Sequence, residues 1–191
     1  MNLLRMLAVV ATLSLTGCMT YSHNQLAAVE QWPLAAAEKA KPSTYVKVQA
    51  EYAFNGTPSP SNANLERLET IVKDTFVSSD RFGRVTTQQE RSDLYVTATL
   101  KNEEEGSQAL AVISGLTLMV LPATADNTLT LELAFRSGED QLLGKVAVQE
   151  KITTWMHVLL IFALPFNPSV DELLTRMTQS ALEEAVRQGL I

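Results

Sequence analysis

The sequence predicts an α+β fold: a mostly antiparallel sheet of four to five strands with two main helices packed on one face. Two observations predict it. Four runs alternate apolar and polar residues, the period of a half-buried strand, and two runs repeat apolar residues at the helical period. Their order is strand, helix, a short fifth strand candidate, three strands and helix, the layout of helices gathered on one side of an antiparallel sheet. At 191 residues the chain suits a single domain with its own core.

The first strand covers residues 44–54, where Val46, Val48, Ala50, Tyr52 and Phe54 alternate with Tyr45, Lys47, Gln49 and Glu51. Asn55-Gly56-Thr57-Pro58-Ser59-Pro60 reads as a loop. Residues 61–79 read as a helix: Leu65, Leu68, Ile71, Val72, Thr75 and Phe76 share one face, and Ser61 or Asn62 is placed to cap it. The short strand candidate is 84–87. Residues 93–101, 128–136 and 142–153 carry the remaining strands, marked by Leu94, Val96 and Ala98, by Leu129, Leu131, Leu133 and Phe135, and by Val146, Val148 and Ile152. Ser137-Gly138-Glu139-Asp140 is the turn between the last two. Residues 169–188 form the final helix, opened by a capping box from Ser169 to Glu172 and ended by Gly189.

Ahead of this domain, residues 1–17 have the layout of a secretory signal. Arg5 gives a positive start, and the apolar run from Met6 to Leu15 is too short to span a bilayer, which takes about 20 residues. The run ends on Leu15-Thr16-Gly17-Cys18. This motif resembles the lipobox of bacterial lipoprotein precursors, with Leu15 as the branched apolar residue and Thr16 and Gly17 as the small residues at the cut. The resemblance implies a diacylglyceryl thioether on Cys18, cleavage between Gly17 and Cys18 by signal peptidase II, and acylation of the new amine. Two or three chains would then hold the protein stably, where one holds it marginally. Met19, rather than aspartate, follows the cysteine, which in such lipoproteins favours the outer membrane, on its periplasmic face, over the inner membrane. The helix leading into Phe82-Gly83-Arg84-Val85, then Ser92-Asp93-Leu94-Tyr95-Val96, is similar in rhythm to small α/β accessory lipoproteins of the cell envelope. The expected organisation is a signal peptide over 1–17, a lipidated N-terminus and tether over 18–43, and one domain over 44–191.

Charge agrees with a lipid anchor. The chain has 15 basic and 21 acidic residues; Arg5 is the leader's only charge, so the remainder has a net charge of −7. Such a surface does not suit nucleic acid, whose binding rests on clustered Lys and Arg, nor peripheral attraction to anionic lipid. Cys18 is the only cysteine, which excludes an internal disulfide and a zinc site built on paired cysteines.

Two apolar segments stand out. Residues 106–125 contain no charge and centre on 109–121; residues 152–170 carry no formal charge and centre on 155–164. If strands 93–101, 128–136 and 142–153 run up, down and up, both segments emerge at one end of the sheet. The first expectation is burial over the sheet as core. The second is a shared surface for a protein partner, the third a lipid-dipping or lipid-binding tip with Trp155 and Phe166 at headgroup level. The candidate contact surface comprises Leu116, Leu118, Met119, Leu121, Trp155, Leu159, Leu160, Phe162 and Phe166.

Catalytic patterns are missing. His23 falls in the tether, and His157 sits in an apolar run without an acid nearby in sequence. No metal-ligand spacing, Walker loop or nucleophile elbow occurs. Glu103-Glu104-Glu105 reads as a solvated turn, and Glu183-Glu184 as the polar face of the last helix. The expectation is a non-enzymatic, lipid-anchored component of an envelope complex, with an unknown protein partner and no cofactor beyond the covalent lipid. The alternative is a lipid-binding or lipid-carrying protein using 106–125 and 152–170.

Overall fold

A computed structural model describes residues 18–27, 29–35, 40–160 and 169–191. Residues 1–17 and 161–168 lie outside the described residues, and with them Leu15, Thr16, Gly17, Phe162 and Phe166.

The fold is α+β. The elements run β1 (Cys18–Ser22), β2 (Ser43–Phe54), β3 (Thr57–Ser59), α1 (Leu65–Ser78), β4 (Arg84–Thr86), β5 (Leu94–Gly106), α2 (Gln108–Leu116), β6 (Ala123–Ser137), β7 (Leu142–Met156) and α3 (Val170–Arg187). Seven strands form one mixed, mostly antiparallel sheet in the order β1-β7-β6-β5-β2-β3, with β4 paired to β2. Among the described residues the sheet thus exceeds the expected four to five strands, and a third helix joins the expected two. The added pieces were hard to see in sequence: β3 is three residues long, and β1 pairs with residues more than a hundred positions away. β2 runs parallel to β5 because α1 crosses over between them; β5, β6 and β7 are antiparallel neighbours.

Alternation decides which face is covered. In β6 every second residue from Ala123 to Phe135 is buried, and Leu129, Leu131, Leu133 and Phe135 join Val46, Val96 and Val146 in one core. Phe76 of α1 and Met177, Ala181 and Leu182 of α3 complete that core from above the sheet. The opposite face is polar, carrying Lys101 and Lys145 on either side of Glu132. These two lysines, Lys145 first, hold the Glu132 carboxyl below its usual range.

Several local expectations are corrected. The side chain capping α1 is Asn64, which accepts from the Arg67 amide, rather than Ser61 or Asn62. Ser169 precedes α3 without a side-chain cap bond. Glu103, Glu104 and Glu105 are not a turn: they continue β5 opposite Thr128, Asn127 and Asp126. The longer strand is possible because alternate acidic side chains can point to solvent while the backbone ladder continues.

The largest difference concerns the expected tether. Residues 18–22 are a strand, aligned Cys18 to Met156 through Ser22 to Ile152 along the edge of β7. Beyond it, the His23 amide donates to the Lys151 carbonyl, and the Gln25 and Leu26 amides donate to the fully buried Glu150 carboxylate. The Glu30 amide donates to Glu183, the Leu34 amide to the Ser79 carbonyl, and the Arg81 guanidinium to the Ala35 carbonyl. Leu34 is buried, with Leu26 and Trp32 packed against the core. The described part of this segment is a strap lying along the body. Buried backbone groups must find partners, and here the body supplies them.

Candidate functional site

The two apolar segments leave the sheet at one end, as the strand directions require. Gly106 pairs with Ala125, and Ala123 with Met156, so the chain after β5, before β6 and after β7 emerges at one level. Between Gly106 and Ala123 the chain forms α2 and a tight turn. Ser107 caps α2 by accepting from the Leu110 amide. The helix ends through bonds from the Leu118 amide to the Gly115 carbonyl and from the Met119 amide to the Ser114 carbonyl. This closing geometry places Leu118 and Met119 at φ 52° and 59°, the left-handed region usually left to glycine. The Val158 amide then donates to the Met119 carbonyl at 3.0 Å, tying the second apolar segment to the first.

For the described residues of these segments, burial as core, the first expectation, is overturned. Leu116 is 81% exposed, Leu118 61%, Leu121 50%, Trp155 45% and Leu159 67%. Leu110, Val112, Ile113 and Val120 are also exposed, while Met119 and Leu160 are half-buried. The cause is topological. The covered face of the sheet is already occupied by α1 and α3, and in α2 only Ser114 is buried. A helix that is apolar on nearly every side cannot turn all of them inward. These side chains are surface rather than core.

Cys18 belongs to the same end. Its register with Met156 sets it level with Ala123, and strand alternation puts Cys18 and Met156 on the helix-bearing face. Phe54, Gly106, Ala111, Val112, Ala125 and Met156 line a shallow hollow there, beneath α2. Trp155, one residue on, points to the opposite face, aligned with Met19 and Thr124.

A second cavity, of about 620 Å³, lies between the sheet and the N-terminal turns of α1 and α3. Its apolar walls include Leu68, Ile71, Leu100, Leu129, Ile152 and Leu174. Its polar residues include Tyr52, Arg67, Asn102, Glu104 and Asp171. Arg67 donates to Asp171 at 2.8 Å, which raises the guanidinium pKa further. The Tyr52 hydroxyl donates to Glu104, and burial, then this carboxylate, raises its pKa. Asn102 Oδ1 and Asp171 Oδ1 are buried without a hydrogen-bond partner.

The histidines have structural surroundings. His157 Nδ1 accepts from the Leu159 amide and so opens the turn after β7. His23, which the sequence placed in a tether, bonds through Nε2 to Thr153 Oγ1 at 2.9 Å, and the Thr153 hydroxyl donates to Asp126 at 2.6 Å. With its proton directed to Asp126, the Thr153 hydroxyl accepts from His23 Nε2. Thr153 first, then Lys151, hold the Asp126 carboxyl below its usual range. Among the described residues no group of three His, Cys, Asp or Glu side chains could hold a metal ion. No described helix is long and apolar enough to cross a membrane.

No protein-family model matches the chain, and no curated protein matches it. Among solved structures, a dodecameric point variant of PelC from Paraburkholderia phytofirmans is 9% identical, covering 87% of this chain and 94% of that one, with a TM-score of 0.34. A second PelC dodecamer from the same organism is 7% identical over 87% of this chain and 95% of that one, also at 0.34. Superpositions this loose assign the chain neither a family nor a role.

Proposed function

We propose that this protein is a lipid-anchored, non-enzymatic component of the bacterial envelope, held through acyl chains on Cys18 and working by contact at its apolar end. The observation that carries the reading is the coincidence of two features. Leu15-Thr16-Gly17-Cys18 has the form of a lipobox, and Cys18 is register-locked at the end of the sheet where the exposed apolar side chains emerge. The outer membrane, on its periplasmic face, is the compartment proposed, because Met19 replaces the aspartate expected for inner-membrane retention. Mass spectrometry of the protein from membranes tests the anchor: the mature N-terminal peptide should begin at acylated Cys18, and an unmodified or uncleaved peptide would end the proposal. Crosslinking pulldowns from whole envelopes test the accessory role.

A second reading, lipid carriage, is favoured by the 620 Å³ cavity with its apolar walls. An amphiphile would place its tail against Leu100 and Leu129. Native mass spectrometry of Cys18→Ser protein should then retain a bound lipid, and an empty spectrum would remove the reading.

A further inference from the structure

We infer that the apolar end of the sheet is seated in the bilayer itself, beside the acyl anchor, so that the protein touches the membrane with its own side chains. The inference rests on the proposed acylation of Cys18 and deepens it. A flexible tether would let an anchored protein hold its body away from the membrane, but here no slack separates anchor from body. Cys18 is the first residue of β1 and is paired with Met156, and the chain behind it is bonded to Lys151 and Glu150. Acyl chains leaving Cys18 for the bilayer therefore bring the sheet end at Met156 and Ala123 to the interface with them.

What that end presents suits the interface. Residues 107–125 and 157–160 contain no Asp, Glu, Lys or Arg. Leu116, Leu118, Val120, Leu121, Trp155 and Leu159 are all exposed there. Trp155 has the amphipathic ring enriched at headgroup depth. The Val158–Met119 backbone bond joins the two segments into one surface. Charge resumes on β5 and β6 at Glu105 and Asp126, which pair opposite each other one register below Gly106 and Ala125. Their carboxylates mark the depth at which water must begin. The surface has no basic patch, so zwitterionic lipid suffices and attachment is insensitive to salt.

The chain has two tryptophans, Trp155 at this end and Trp32 packed against the core of the body, which makes the test internal. Acylated Trp32→Phe protein is reconstituted in phosphatidylcholine vesicles, with or without bromine on the acyl chains. Trp155 fluorescence is expected to fall at least twofold with brominated lipid, unchanged in high salt, while Trp32 in a Trp155→Phe protein keeps its intensity. Replacing exposed Leu116 and Leu159 by Ser should leave the acyl anchor bound yet restore most of the Trp155 signal. If acylated, vesicle-bound protein shows no quenching of Trp155, the inference is overturned and the anchor stands. It is overturned equally if Trp155 is covered instead by a second copy or by an envelope protein, seen as crosslinks through the Leu116 and Leu159 positions. If Cys18 carries no lipid, the anchor reading itself fails, and the inference with it.

Discussion

Glu150 Oε2 accepts the backbone amide of Gln25 at 3.0 Å, from a side chain with no solvent exposure in the middle of β7. The same oxygen accepts from the Leu26 amide at 3.2 Å. A buried carboxylate is costly unless hydrogen-bonded, and here its partners are the backbone of the strap that follows the proposed anchor site. Glu150→Ala should destabilise the protein by about 1–3 kcal/mol, because it leaves those amides without an acceptor. Glu150→Gln, which keeps one acceptor oxygen, should cost less. Hydrogen exchange should accelerate at Gln25 and Leu26 in the alanine variant. Unchanged protection there would show that the strap is held by its other contacts, among them β1, Leu34 and the Arg81–Ala35 bond.

Acid should weaken the fold through three carboxylates. Asp126 is held low by the Thr153 hydroxyl and then by Lys151, Asp93 by the Ser43 hydroxyl and then its amide, and Glu132 chiefly by Lys145. A carboxyl with a depressed folded pKa contributes stability above its unfolded pKa and loses it as pH falls through the folded value. For these groups the loss begins near pH 4 and continues below it. Urea midpoints measured from about pH 6 down to about pH 3 should fall, and Asp126→Asn should flatten that fall. An identical pH profile for the variant would remove Asp126 from the account. All three side chains reach solvent, so the effect should be modest.

Leu118 separates folding from contact. Its left-handed φ of 52° is strained for a branched side chain, and its exposure gives it little packing to lose. Leu118→Gly should therefore raise unfolding stability, by at most about 1 kcal/mol. It should also weaken the membrane contact, because it deletes an apolar side chain from the tip. Chemical denaturation and vesicle binding on one sample would show the two changes in opposite directions; loss of both would assign Leu118 to the fold.

Core and tip should respond differently to truncation. Phe135 is fully buried near the C-terminal end of β6, and Phe135→Ala should cost about 3–5 kcal/mol. Leu159→Ala, at an exposed position of the tip, should stay within about 0.5 kcal/mol in the absence of membrane. A large loss at Leu159 would mean that the tip is packed in solution.

Features with local signals were legible in the amino-acid order alone. Alternation located β2, β5, β6 and β7, helical periodicity located α1 and α3, and the directions of three antiparallel strands put both apolar segments at one end. Leu15-Thr16-Gly17-Cys18 and the absence of charge over 107–125 were equally plain, since each is a property of consecutive residues. Other features depended on how distant parts of the chain pack. The strand at Cys18–Ser22 exists because β7 offers it an open edge, and no pattern in five residues announces a partner so distant in sequence. The strap depends on Glu150 and Arg81, polar residues whose burial has no periodic signature. Whether 109–121 is core or surface could not be read from its composition, because a buried helix and a membrane-facing one look alike. Competition for one sheet face settled it: α1 and α3 cover that face, α2 is left at the end, and its leucines remain outside at the same end of the sheet as Cys18.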